Sequence, residues 1–177
     1  MLSKLAFQSL VAASVAAVGI AHADTVQQNI QLRATVPSGT SYVKAVGGWP
    51  ADAVDFVYDQ NTQKLRNPPV IGLRMRNNMG TGPGAGGVIL ASLSYPIVLS
   101  DGVATDDLPV QASISGSALT KPVVLSTTGQ QIYNDKAGAE VDGALTLHVQ
   151  DDAKLNPGQS YQGTAALVFD FQPAPAQ

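Results

Sequence analysis

Residues 25–36 read Thr-Val-Gln-Gln-Asn-Ile-Gln-Leu-Arg-Ala-Thr-Val, an unbroken alternation. In an extended chain, successive side chains point to opposite faces. Val26, Gln28, Ile30, Leu32, Ala34 and Val36 therefore share one face, and Thr25, Gln27, Asn29, Gln31, Arg33 and Thr35 share the other. Five of the first six are apolar, so this face has to be covered, either inside its own domain or inside another molecule. Extended at roughly 3.3 Å per residue, the segment reaches about 40 Å, the length of a small domain.

What precedes the strand reads as a secretory signal, residues 1–23. Lys4 supplies the basic end, Leu5 to Ile20 an uncharged apolar stretch, and Ala21-His22-Ala23 a small-residue cleavage site. The apolar stretch is short for a membrane span and lacks basic stop-transfer residues after it. Cleavage would leave Asp24 as the first residue and 154 of the 177 residues, a size that suits one domain. The alternating strand then stands at a free N-terminus, where chains are usually polar and loosely held.

Composition narrows the functional classes. The net charge of −3 becomes −4 once Lys4 departs, and no basic cluster is present, so nucleic-acid binding has no electrostatic support. There is no cysteine, which excludes a disulfide scaffold. Charged residues make up only 13% of the chain, in keeping with a surface that packs against copies of itself.

Beyond residue 38 the chain reads as short strands between turns. Val54, Phe56 and Tyr58 alternate, as do Ile71, Leu73 and Met75 against Gly72, Arg74 and Arg76. Gly80 to Gly87 is a glycine-dense turn, and the apolar run Val88–Leu99 is broken near Tyr95-Pro96. Asp101-Gly102 marks a turn before Val110, Ala112 and Ile114. Pro122 to Leu125 reads as another strand, and Asp142-Gly143 as a signal ahead of Leu145, Leu147 and Val149. Asn156-Pro157-Gly158 precedes a last strand in which Tyr161, Gly163, Ala165, Leu167, Phe169 and Phe171 alternate with polar or small residues. Helical periodicity is hard to find. The pattern predicts an all-β fold, a β-sandwich.

Chemistry-bearing groups are sparse. His148 is the one histidine left after residue 23, and no G-x-S-x-G accompanies it, so a nucleophile–base pair is missing. A zinc site fails on ligand count. Gly82 to Gly87 matches G-x-G-x-x-G formally, but a proline sits inside it and a β-like run follows where a helix is needed. Asp106-Asp107 and Asp151-Asp152 lack the spaced oxygens of a calcium loop. Arg74 and Arg76 read as an exposed polar face. No enzyme activity and no cofactor are expected.

The two best alternating segments are the first strand and the last. A sandwich that ends one strand early leaves its last strand with an unpaired edge, and an apolar segment from another chain can fill it by β-augmentation. At these residues the chain resembles the CFA/I and CS1 fimbrial major pilins, a family that includes cable pilins. The resemblance runs through Val26–Val36, Trp49–Tyr58, Arg76-Asn77-Asn78, Leu108–Gly116, and the proline-glycine, tyrosine, glycine and alternating apolar end between Pro157 and Phe171. Gln28 departs from it, standing where a lysine is common, as does the glycine-dense turn at Gly80–Gly87.

The resemblance implies an incomplete immunoglobulin-like pilin of the alternate chaperone–usher pathway: signal peptide 1–23, donor-strand extension 24–37, pilin domain 38–177. It implies a donor strand at Val26, Gln28, Ile30, Leu32, Ala34 and Val36, and an acceptor strand at Tyr161, Gly163, Ala165, Leu167, Phe169 and Phe171. A periplasmic chaperone would complete the fold first, and an outer-membrane usher would exchange it for the next subunit's extension. The expected role is a shaft subunit of an adhesive surface fimbria, partnered by identical subunits, a tip adhesin and a host glycan or glycoprotein. The alternative is a monomeric β-sandwich binding module in which residues 25–36 are its own first strand.

Overall fold

The computed structural model describes residues 41–80, 86–150 and 155–174. Eleven strands occur among them: β1 (Tyr42–Ala45), β2 (Val57–Asp59), β3 (Lys64–Arg66), β4 (Ile71–Arg76), β5 (Gly87–Leu93), β6 (Ile97–Leu99), β7 (Leu108–Gly116), β8 (Val123–Val124), β9 (Gln130–Asp135), β10 (Val141–Val149) and β11 (Leu167–Pro173). The fold is all-β; a 3-10 turn at Ala104–Asp106 is the one helical element among the described residues. The predicted donor strand, residues 24–37, and the predicted signal peptide, residues 1–23, lie outside the described residues.

Every pairing is antiparallel. The larger sheet runs β1-β4-β10-β7-β6, with β8 also on β7; the smaller runs β11-β5-β9; β2 and β3 form a separate hairpin. The sheets close over one core because their alternation points inward. Leu73 and Met75 of β4, Ala112 and Ile114 of β7, and Leu145 and Leu147 of β10 meet Ile89, Ala91 and Leu93 of β5 and Leu167, Phe169 and Phe171 of β11. The break at Tyr95-Pro96 is a sheet change: β5 lies in the smaller sheet and β6 in the larger.

Two elements depart from the sequence pattern. Asp142-Gly143 is no turn but part of β10, where Gly143 pairs with both Leu73 and Gly116. A Cβ there would lie 2.8 Å from the Ser115 carbonyl oxygen and 2.7 Å from the Met75 methyl, so the glycine serves close packing. β9 escapes a period-two reading because Ile132 and Tyr133 are adjacent and both fully buried. Tyr133 pairs with Ile89 and Gln131 with Leu90, which leaves Ile132 as the extra residue of a bulge.

The polar face of the larger sheet carries a carboxylate cluster. Glu140 accepts a hydrogen bond from the Tyr42 hydroxyl and lies 3.6 Å from Arg74 and 3.9 Å from Lys44. The Tyr42 bond first, and the cations after it, hold its carboxyl below the usual range. Arg66 does the same for Asp59 in the β2–β3 hairpin, at 2.7 Å. A carboxyl depressed in the folded state stabilises above its unfolded value and loses that contribution as pH falls through the folded one. Thermal stability should therefore hold level down to about pH 5 and decline below about pH 4. Glu140→Gln should lower the melting temperature slightly near neutrality and leave it unchanged near pH 2, narrowing the difference. An unaltered difference in a pH-resolved melting series would show the cluster to be inert.

Candidate strand-acceptor groove

An exposed sheet edge templates association unless it is short, charged, bulged or covered. Among the described residues five strands end the two main sheets: β1, β6, β9, β11 and the two-residue β8, which shares one side of β7 with β6. β1 has four residues and carries Lys44. β6 has three, and Ser100 just beyond it exchanges backbone bonds with Gln162 at 2.7 and 2.9 Å. β9 combines polar residues with its bulge. β11 has seven residues and, among the described residues, none of these protections along Leu167–Phe171 except Asp170, which points away from the core.

Backbone direction follows from the ladder. Ser94 N–H donates to Ala166 O at 2.9 Å and Ala174 N–H to Gly86 O at 3.3 Å, so the even-numbered residues of β11 are those bonded to β5. Antiparallel ladders alternate. The N–H and C=O groups of Leu167, Phe169 and Phe171 consequently point to the side of β11 that has no strand among the described residues. Their side chains face the core, at 1%, 7% and 9% exposure. Pro173 shares this parity and lacks an N–H, so the row of edge donors stops there.

A second wall stands beside β11. Val46 N–H bonds Gly72 O, and Gly47 and Gly48 then turn the chain with φ of +85° and +95°, a conformation cheap only for glycine. The turn brings the Trp49 ring to 6.4 Å from Phe169. Pro50 and Val54 follow, lining an apolar crevice with Ile71, Leu145, Leu147, Ala165 and Leu167. Sequence reasoning did not place Trp49, Pro50 or Val54 in the groove. The available signal was a lone Trp ahead of a proline, next to two glycines.

The predicted acceptor strand begins later than its alternation suggests. Leu167, Phe169 and Phe171 lie on β11 as an inward row, and Ala165 is buried just before it. Tyr161 and Gly163 lie before β11, where Gln162 forms an isolated bridge with Ser100, just beyond β6. Gly163 passes so close to β6 that a Cβ would lie 2.1 Å from the Val98 carbonyl oxygen. Alternation continues through this stretch, which is why it reads as strand. The six predicted donor residues lie outside the described residues.

At the far end of β11 sits a buried amide. Asn77, just after β4, is 0% exposed. Its Nδ2 donates to Val88 O at 2.7 Å and Gln172 O at 2.8 Å, and its Oδ1 accepts from Ser41 Oγ at 3.1 Å and Met79 N–H at 3.0 Å. Asn78 N–H donates in turn to Ser41 Oγ at 2.9 Å. Ser41 is the residue from which the chain continues back toward residues 25–36.

Chemically the groove offers backbone bonds and apolar surface. His148 lies on β10 with Nδ1 3.0 Å from Asn67 Oδ1. No cluster of three His, Asp or Glu side chains able to hold a metal occurs among the described residues. Arg74 meets Glu140 and Asp142, and Arg76 donates to Gly138 O, so both serve the polar face.

Residues 26–170 match the model of the CS1 type fimbrial major subunit family. No curated protein matches the chain in sequence. Solved structures that match include the CooA pilin subunit from enterotoxigenic Escherichia coli, at 15% identity and a TM-score of 0.38, covering 76% of this chain and 99% of that one. A likeness at that level carries no functional weight, and the family match stands by itself.

Proposed function

Because the chain belongs to the CS1 type fimbrial major subunit family and is thus a fimbrial subunit, we propose that it polymerises by donor-strand exchange. The face formed by Val26, Gln28, Ile30, Leu32, Ala34 and Val36 of one subunit fills the edge of β11 in the next. The backbone edge over Leu167, Phe169 and Phe171, unpaired among the described residues, carries this assignment. Strand order supports it. β1-β4-β10-β7 opposed to β5-β11 follows the A-B-E-D and C-F order of a constant-type immunoglobulin sandwich, with no strand at the G position beside β11 among the described residues.

The direction of the inserted strand follows from where the extension starts. Its root, Ser41, is tied through Asn77 to the Gln172 end of β11. In a head-to-tail stack of like-oriented subunits, an extension leaving at that end enters its neighbour at the opposite, Leu167 end. Residue 36 then enters first and residue 26 lies deepest, so the donor runs antiparallel to β11. Three N–H and three C=O groups of Leu167, Phe169 and Phe171 give up to six ladder bonds, each contributing about 1 kcal/mol.

Before assembly the vacant edge needs a substitute, which is the role of a periplasmic chaperone; an outer-membrane usher then exchanges it. The test is size-exclusion of subunit released from the chaperone, with and without residues 24–36. Polymers only with the segment are expected. A monomer in both cases, destabilised by truncation, would instead establish a self-contained binding module.

A further inference from the structure

We propose that Asn77 is a positioning residue that locks the root of the donor extension to the end of the acceptor strand within one subunit; this rests on the donor-strand exchange argued above. A side-chain amide offers two donor hydrogens and an oxygen that accepts two bonds. In Asn77 all four are engaged, in a site with no solvent exposure, so none can be lost to water cheaply. The partners come from distant parts of the chain: Ser41 before β1, Val88 at the start of β5, and Gln172 at the end of β11. Ser41 is itself 1% exposed, and its hydroxyl is held from both sides by Asn77 Oδ1 and Asn78 N–H.

The consequence is a coupling between the two ends of a junction. A strand seated along β11 fixes that strand as far as Phe171 and hence the neighbouring Gln172 carbonyl. The carbonyl holds Asn77, and Asn77 holds Ser41. A subunit whose groove is filled thereby presents its own extension from a fixed root, and linkage makes the effect mutual. The path is two hydrogen bonds long and crosses from the smaller sheet to the larger.

Ser41→Ala tests it most cleanly, since Asn77 keeps its bonds to Val88, Gln172 and Met79. Fibres assembled in cells with the chaperone and usher would be compared with parental fibres by amide hydrogen exchange. Fibres in ordinary number are expected, with Tyr42–Ala45 exchanging roughly tenfold faster for the loss of about one buried hydrogen bond. The acceleration should reach Val88 and Asp170–Gln172, which Ser41 does not touch. Faster exchange confined to residues 41–45 and Asn78, with parental rates at Val88 and Asp170–Gln172, would overturn the lock alone. Absence of fibres from the parental chain itself would overturn strand exchange, and the lock with it.

Discussion

Ile30→Asp or Leu32→Asp is expected to abolish fibres while leaving the chaperone-bound subunit at its parental level. Each residue occupies the centre of the apolar face of residues 25–36, and on the proposed strand exchange its burial in a neighbour would contribute about 1.5–3 kcal/mol. Aspartate forfeits that and would add a carboxylate to a slot whose described lining, with Trp49, Leu167 and Phe169 among it, is apolar and holds no cation. An unpaired buried charge costs several kcal/mol more. The combined loss is of the same order as the six ladder bonds together, at about 1 kcal/mol each. The substitution leaves residues 41–174 untouched, so the acceptor groove and the chaperone interaction survive. Arg33→Glu, on the opposite face, is the control and should assemble normally. Negative-stain microscopy of expressing cells, with the chaperone complex quantified in the periplasm, separates the cases. Ordinary fibres from either aspartate variant would mean that this face is not what joins the subunits.

Much of this architecture is legible in the sequence because a half-buried strand writes its burial as a period of two. β4, β7 and β10 are long enough to show it, with Leu73 and Met75, Ala112 and Ile114, and Leu145 and Leu147 inward. The Tyr95-Pro96 break marked a change of sheet for the same reason: proline ends one ladder before another begins. Illegible elements are those where another constraint overrides alternation. β1 has only four residues. β9 hides behind the bulge at Ile132. Gly143 imitates a turn while serving close packing within a ladder. The groove divides the same way. Its inward row, Leu167, Phe169 and Phe171, is periodic; its second wall, Trp49 to Val54, is irregular backbone placed by a double-glycine turn. Asn77 could not be read as buried from its type, since asparagines are mostly exposed. Only in the structure do Ser41, Val88 and Gln172 meet around it.

A chain lacking residues 24–36 at its N-terminus but carrying a copy of them after Ala174 should be a stable, non-polymerising monomer. On the proposed strand exchange the copy would fill the subunit's own groove, leaving neither an unfilled edge nor a free donor. Burial of Val26, Ile30, Leu32 and Val36 contributes on the order of 6–12 kcal/mol, an upper figure because a denatured chain is not fully extended. For a domain of this size each kcal/mol moves the melting temperature by about 2–4 °C. The complemented monomer should accordingly melt some 10–30 °C above the uncomplemented truncation, about half of that range being enough to decide the matter. Linker length also tests strand direction. An antiparallel donor begins beside Gln172, where the domain ends, so a hairpin loop of about two to five residues suffices. A parallel donor would have to begin at the Leu167 end, and its connection would need about a dozen residues or more. Success with a short Gly-Ser linker thus supports both the vacancy and its polarity. Success only with a long linker would keep the vacancy and reverse the strand. A truncated chain that melts as high as the complemented one would leave β11 with no vacancy to fill.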